Sequence, residues 1–195
     1  MRIIAGEYRS RRLEAPAGLA TRPTSDRLRE TLFNVLAPRI EGAGILDLYA
    51  GSGAVGMEAL SRGAASVDFV ERAETAVRVL RGNLGRLGIT EGFRVHTSGV
   101  GGWLRRVGKG SGTGLSPVFD LVFLDPPYEA AEEYAATLGL LGGGSAELLA
   151  PGALVIAEHR RKERLAERYG ELGRARLLEQ GDAALSFYAV GPGAS

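Results

Sequence analysis

Two short stretches carry the side chains best suited to chemistry. The first is Ile45-Leu46-Asp47-Leu48-Tyr49-Ala50-Gly51-Ser52-Gly53-Ala54-Val55-Gly56. Here an apolar strand runs into a Gly-x-Gly turn that opens a helix. Glycines let the backbone turn tightly and lie against a ligand without Cβ interference, and the helix start offers unpaired N–H groups. The second stretch is Asp125-Pro126-Pro127-Tyr128, directly after the largely apolar run Phe119–Leu124, which is expected to be a strand buried on both faces. Consecutive prolines fix φ and lack N–H donors, so the Asp125 carboxylate and the Pro126 carbonyl stand as acceptors on a stiff loop. An exocyclic amine of guanine or adenine presents two donors to that pair. Two acceptors position its nitrogen and draw it from planarity, and Tyr128 can stack on the base.

The glycine turn alone does not choose its ligand, because Gly51 to Gly56 also fits the dinucleotide pattern GxGxxG. Asp47, four residues before the first glycine, suits a ligand ammonium, whereas a pyrophosphate gains nothing from a carboxylate there. With the acid–proline tetrapeptide downstream, the expected cofactor is S-adenosylmethionine and the product S-adenosylhomocysteine. Glu71, closing the second strand, is placed to accept bonds from both ribose hydroxyls. The implied reaction is in-line displacement at a sulfonium, where positioning supplies on the order of 7 kcal/mol. An NAD-dependent oxidoreductase explains the glycines but not the tetrapeptide. A protein glutamine methyltransferase would more typically carry Asn at position 125.

These residues need a scaffold, and hydrophobic patterning supplies one. Short strands at 2–5 and 8–13 around Gly6-Glu7 form a hairpin. A helix over 25–37 follows, with Leu28, Leu32, Val35 and Leu36 at helical spacing, Thr24 or Ser25 as N-cap and Pro38 as stop. Strands at 44–49, 66–71, 93–96, 119–124 and 153–158 then alternate with helices, the last of which spans 130–141. Residues 108–117 are a glycine- and serine-rich loop. The segments 174–179 and 184–190 close the chain as a hairpin around Gly181-Asp182. The expected class is α/β, a Rossmann-like class I methyltransferase fold. Its sheet is mostly parallel and seven-stranded with an antiparallel terminal strand, preceded by a small N-terminal hairpin and helix. In such a sheet the fourth strand lies beside the first, so both motifs are expected at one crevice. Domain limits are expected at 1–40 for the basic extension, 41–191 for the methyltransferase domain and 192–195 for a tail.

Composition narrows the chemistry further. The 195 residues are 45% hydrophobic and 24% charged, with no cysteine and two histidines, His96 and His159. Disulfides, iron–sulfur clusters and a cysteine nucleophile are excluded, and no metal site is expected. No apolar run approaches the roughly eighteen residues of a membrane span. The run after Arg2 is too short for a signal peptide, so a cytoplasmic location is expected. Net charge is only +1, yet residues 1–40 hold eight arginines against four acids. That imbalance points to a phosphate-facing surface, with a solvated arginine-rich face as the other reading.

Along nearly its whole length the chain resembles the bacterial 16S rRNA guanine-N2 methyltransferases of the RsmD type. The residues carrying this are Arg2-Ile3-Ile4-Ala5-Gly6, Arg22-Pro23-Thr24 with Asp26-Arg27 and Arg29-Glu30, and Phe33-Asn34. To these add Asp47 to Gly53, Glu58-Ala59-Leu60-Ser61-Arg62-Gly63-Ala64, and Asp125 to Tyr128. The resemblance implies methylation of one guanine N2 in 16S rRNA, within a small ribosomal subunit or an assembly intermediate. It implies catalytic roles for Asp125, Pro126, Pro127 and Tyr128. Cofactor contacts are implied for Asp47, Tyr49, Ala50, Gly51, Ser52, Gly53, Glu71, Arg72, Gly99, Val100 and Asp125. RNA contacts are assigned to Arg9, Arg11, Arg12, Arg22, Thr24 and Arg29; the last three either line the cleft or cap and pack the helix start. Relatives usually place a polar residue after the third strand for the adenine amine, where this chain has Ser98-Gly99-Val100. The alternatives are a DNA adenine-N6 methyltransferase, which usually needs a separate target-reading region, and a non-catalytic RNA-binding protein on the same fold.

Overall fold

The computed structural model describes residues 1–16, 26–108, 118–127 and 131–191. Arg22, Thr24, Ser25, Tyr128, the tail 192–195 and most of the glycine-rich loop lie outside them. The chain falls into two compact units, Met1–Ser98 and Gly99–Ser195.

In the first unit β1 (Gly44–Leu48), β2 (Ser66–Glu71) and β3 (Phe93–Thr97) form parallel pairs in the order β3-β2-β1. Ile45, Leu46, Leu48, Val67, Phe69 and Val70 of these strands are buried, as expected for parallel strands covered on both faces. α1 (Asp26–Leu36) buries Leu28, Leu32, Phe33 and Leu36, and Pro38 lies in the 3-10 turn Ala37–Arg39 that follows it. α2 (Ala54–Ser61) joins β1 to β2. α3 (Glu74–Leu87) ends at Gly88, whose φ of 76° permits a left-handed cap.

In the second unit the order is β4-β5-β8-β7-β6. It contains α4 (Val100–Val107), β4 (Phe119–Leu124), α5 (Ala131–Leu141), β5 (Leu149–Arg160), β6 (Arg168–Tyr169), β7 (Leu172–Gln180) and β8 (Ala183–Val190). β4 and β5 are parallel, and the remaining pairs are antiparallel. The α/β expectation therefore holds, with parallel strands first and antiparallel strands last. The described residues contain eight strands rather than seven; the extra one is the two-residue β6.

Three local expectations change. β4 is not buried throughout, because Asp120 is exposed at the register shift between Phe119 and Leu121. β5 begins at Leu149, ahead of Pro151-Gly152, because Leu149 pairs with Phe119 across that shift. The N-terminal hairpin is real but contains no regular strands. Arg2 and Arg12 form a single antiparallel bridge, supported by bonds from Ile3 N–H to the Arg11 carbonyl at 3.0 Å and from Leu13 N–H to the Met1 carbonyl at 3.1 Å. Its neighbouring donors, on Ile4 and Ala5, are taken by a side chain of α2, which ends the ladder.

Candidate active site

The turn after β1 is built from backbone strain held by two carboxylates. Tyr49, a non-glycine residue, has φ 59°, and Gly51 and Gly53 have φ 54° and 76°. A left-handed tyrosine costs energy on the order of 1–3 kcal/mol and persists only where neighbours over-determine it. Here Ala50 N–H donates to the Val70 carbonyl at 3.1 Å and Gly53 N–H to the Ala50 carbonyl at 2.7 Å. Glu71 fixes the other side. Its Oε2 accepts from Gly51 N–H at 2.9 Å and its Oε1 from Ala73 N–H at 2.8 Å. Each oxygen keeps lone-pair capacity for a further donor. Among the described residues beyond its chain neighbours, a Cβ on Gly51 would have only the Tyr49 carbonyl oxygen within 4 Å, at 3.9 Å, so that side of the turn is open to them. Gly56 serves packing instead, since a Cβ there would meet the Phe69 ring at 2.3 Å.

Asp47 is 2% exposed, and its Oδ2 accepts from Gly56 N–H at 3.0 Å. It thus satisfies one of the orphan donors in the first turn of α2. Burial, reinforced by the Glu71 charge and opposed by the Gly56 bond, pushes its carboxyl up to about 8. A cation brought beside it would favour the ionised form. Arg72 is exposed and Ser52 is buried. Asn83, absent from the sequence reading, holds this loop from behind. Its Nδ2 donates to the Ser52 carbonyl at 3.1 Å and the Glu14 carbonyl at 3.0 Å, and its Oδ1 accepts from Glu14 N–H at 2.9 Å.

Glu58 is the second residue that sequence reasoning left without a role. Its side chain is fully buried, and it accepts from Ile4 N–H at 2.7 Å and Ala5 N–H at 3.0 Å. Arg62 Nε lies 2.8 Å from its Oε1, and Arg29 Nε lies 3.8 Å from its Oε2. One turn on, Ser61 Oγ donates to the Ala5 carbonyl at 2.6 Å and accepts from Tyr8 N–H at 3.0 Å. The N-terminal arm is therefore clamped to the helix that the glycine turn opens. A lone acid on an otherwise apolar helix was the available signal. Of the two readings of Arg29, its burial agrees with packing at the helix start. Its side chain is 0% exposed, pairs with Asp26 at 3.0 Å and donates to the Arg2 carbonyl. Arg9, Arg11 and Arg12 are exposed.

In the second unit Asp125 follows the last residue of β4 and is partly buried, Pro126 is buried and Pro127 is intermediate. Leu124 is in register with Ala157 of β5. Gly99 is the extended N-cap of α4, with φ −69° and ψ 138°, and Val100 is buried. Both histidines have structural partners. His96 Nε2 lies 2.6 Å from Asp68 Oδ1, and His159 Nε2 lies 2.9 Å from Ser186 Oγ. Among the described residues no group of three or more His, Asp or Glu could hold a metal, and no helix is long and apolar enough to cross a membrane.

Comparison with known proteins places the chain. The profile of the family described as Conserved hypothetical protein 95 matches residues 1–189. The putative rRNA methyltransferase YlbH of Bacillus subtilis is 36% identical over 188 residues, covering 96% of this chain and 98% of that protein. Ribosomal RNA small subunit methyltransferase D of Escherichia coli K12 is 43% identical over 128 residues, 66% of this chain and 60% of the relative. The solved structure of the putative methyltransferase yhhF from Escherichia coli superposes with a TM-score of 0.81 at 34% identity, covering 97% of each chain. The chain belongs to the Conserved hypothetical protein 95 family, the family that includes ribosomal RNA small subunit methyltransferase D.

Proposed function

We propose that this protein methylates the exocyclic N2 of a guanine in small-subunit rRNA, using S-adenosylmethionine, in the cytoplasm where ribosomal subunits assemble. The observation that carries this is a family match along almost the whole chain, within which lie both the Asp47–Gly53 turn and the Asp125–Tyr128 tetrapeptide.

The residues of the first unit fit the cofactor. Glu71 carries a carboxylate whose orientation two backbone donors already fix, suited to a ribose diol. Gly51 leaves the turn open to close approach. Asp47 is a buried carboxyl that a ligand ammonium would draw into ionisation. Held by these residues, S-adenosylmethionine would supply an electrophilic methyl on a sulfonium, with the neutral thioether as leaving group. Asp125 and the Pro126 carbonyl accept the two amine hydrogens of the guanine and aim its lone pair, while Tyr128 stacks on the base. After transfer the nitrogen is acidic, so its proton leaves to Asp125 or to water without a strong base. The exposed Arg9, Arg11 and Arg12 attract the phosphate backbone.

The test is incubation with labelled S-adenosylmethionine and, in turn, small ribosomal subunits, naked rRNA and duplex DNA, followed by nucleoside analysis. N2-methylguanosine from the ribosomal substrates is expected. N6-methyladenine, or no product at all, defeats the proposal. Asp125→Ala should lower single-turnover rate by about 100- to 1000-fold, the scale of one lost transition-state contact, with S-adenosylhomocysteine affinity retained by calorimetry. Loss of that affinity would remove Asp125 from its assigned role.

A further inference from the structure

Resting on the function proposed above, we propose that residues 160–164, where β5 leaves the sheet, form a phosphate-binding surface for the RNA strand bearing the target guanine. Glu163 N–H donates to the Arg160 carbonyl at 2.9 Å and closes a four-residue turn, and Arg161 N–H donates to the Asp182 carbonyl at 2.8 Å. Arg161 and Lys162 occupy the two central positions of that turn. Both are exposed, as are Arg160 and Arg164. Neither Arg161, Lys162 nor Arg164 makes an ion pair with any described residue.

The surrounding charge favours an anionic partner. Residues 160–168 hold Arg160, Arg161, Lys162, Arg164 and Arg168 against Glu163 and Glu167. Glu167 is already paired with Arg174. Among the described residues, the acids without an ion pair on this segment and the adjoining end of the β7–β8 hairpin are Glu163, Glu179 and Asp182.

This segment is also firmly held. Leu165 is buried, and the Arg174 guanidinium donates to its carbonyl at 3.2 Å. Tyr188 Oη donates to the Ala166 carbonyl at 2.8 Å, while Ala166 N–H donates to Tyr169 Oη at 3.0 Å. The cations are thus presented by an ordered platform, which lowers the ordering cost of binding.

Its position follows from strand register. β4 and β5 are parallel, with Leu124 opposite Ala157. Asp125 and Arg160 therefore leave the same end of one strand pair. Arg160 stands three residues beyond Ala157, about 10 Å further at roughly 3.3 Å per residue. A base taken out of its stack into a pocket leaves its own phosphates outside, and cations beyond the Asp125 end of β4 and β5 are where those phosphates would pass.

The experiment compares the full chain with the triple variant Arg161→Gln, Lys162→Gln, Arg164→Gln on small ribosomal subunits. KM should rise about tenfold and the log–log salt slope of KM should fall by about two, as for three lost single-strand phosphate contacts. The kcat at saturation and S-adenosylhomocysteine affinity should stay within about twofold. A charge-preserving variant, Arg161→Lys with Arg164→Lys, should keep the parent KM. An unchanged KM and salt slope in the triple variant would overturn the proposed surface while leaving the methyltransferase reading intact. A parent protein that methylates no rRNA would overturn that reading, and this one with it.

Discussion

Residues 1–62 and residues 160–176 are both rich in arginine but use it differently. In the first stretch Arg29 and Arg62 turn toward the buried Glu58, and Arg62 also lies 4.9 Å over the Phe33 ring. Arg9, Arg11 and Arg12 remain outside. In the second stretch one arginine, Arg174, neutralises Glu167, and the others that precede it face solvent. Counting charges along the chain overstates the first surface and understates the second. What a partner meets is the charge left after the fold has used what it needs.

The sharpest way to break this contrast is to remove the anion that holds the inward arginines. Glu58→Ala leaves Arg29 buried without its carboxylate partner on α2, a situation that costs about 3–5 kcal/mol. Thermal unfolding should fall by on the order of 10 °C for a chain of this size. A change below about 2 °C would show that the clamp contributes little. A smaller, separable effect belongs to the outward arginines. Replacing Arg9, Arg11 and Arg12 together with Gln should leave stability within about 0.5 kcal/mol, yet raise KM for ribosomal subunits roughly tenfold by loss of phosphate contacts. Equal KM values would assign these side chains to solvation alone.

A pH-linked effect, read within one protein, sharpens the comparison from the acidic side. Asp47 is buried like Glu58, but it makes no ion pair among the described residues. Its carboxyl is pushed up to about 8, whereas an exposed aspartate titrates near about 4. Between those values the folded chain binds the extra proton, so stability falls as pH rises through that window. The urea midpoint should decline from pH 5 to pH 8, and Asp47→Asn should flatten the decline. A parent midpoint that rises over that range would contradict the assigned shift.

Much of the scaffold was legible because its determinants are local. β2 and β4 span the residues expected of them, 66–71 and 119–124, and the glycine turn announces the start of α2. What sequence missed depends on partners distant along the chain. Glu58 meets Ile4 across a separation of 54 residues, and Asn83 meets Glu14 across 69. No periodicity encodes such pairings. The same cause explains the arm, where a ladder was expected from alternation but the donors of Ile4 and Ala5 bond to α2. Pro151-Gly152 reads locally as a turn, yet pairing of Leu149 with Phe119 carries β5 past it. β6 is too short to leave a pattern at all.

A single carboxylate shared by Ile4, Ala5, Arg29 and Arg62 also has a consequence for inheritance. Groups that draw on one partner do not contribute independently, so the effects of substitutions among them should fail to add. A change at Arg29 that is harmful alone could become tolerable once Glu58 is also replaced by an apolar residue of similar size. The arm, α1 and α2 would then drift among descendants as a linked set, while the solvent-facing cations vary one at a time.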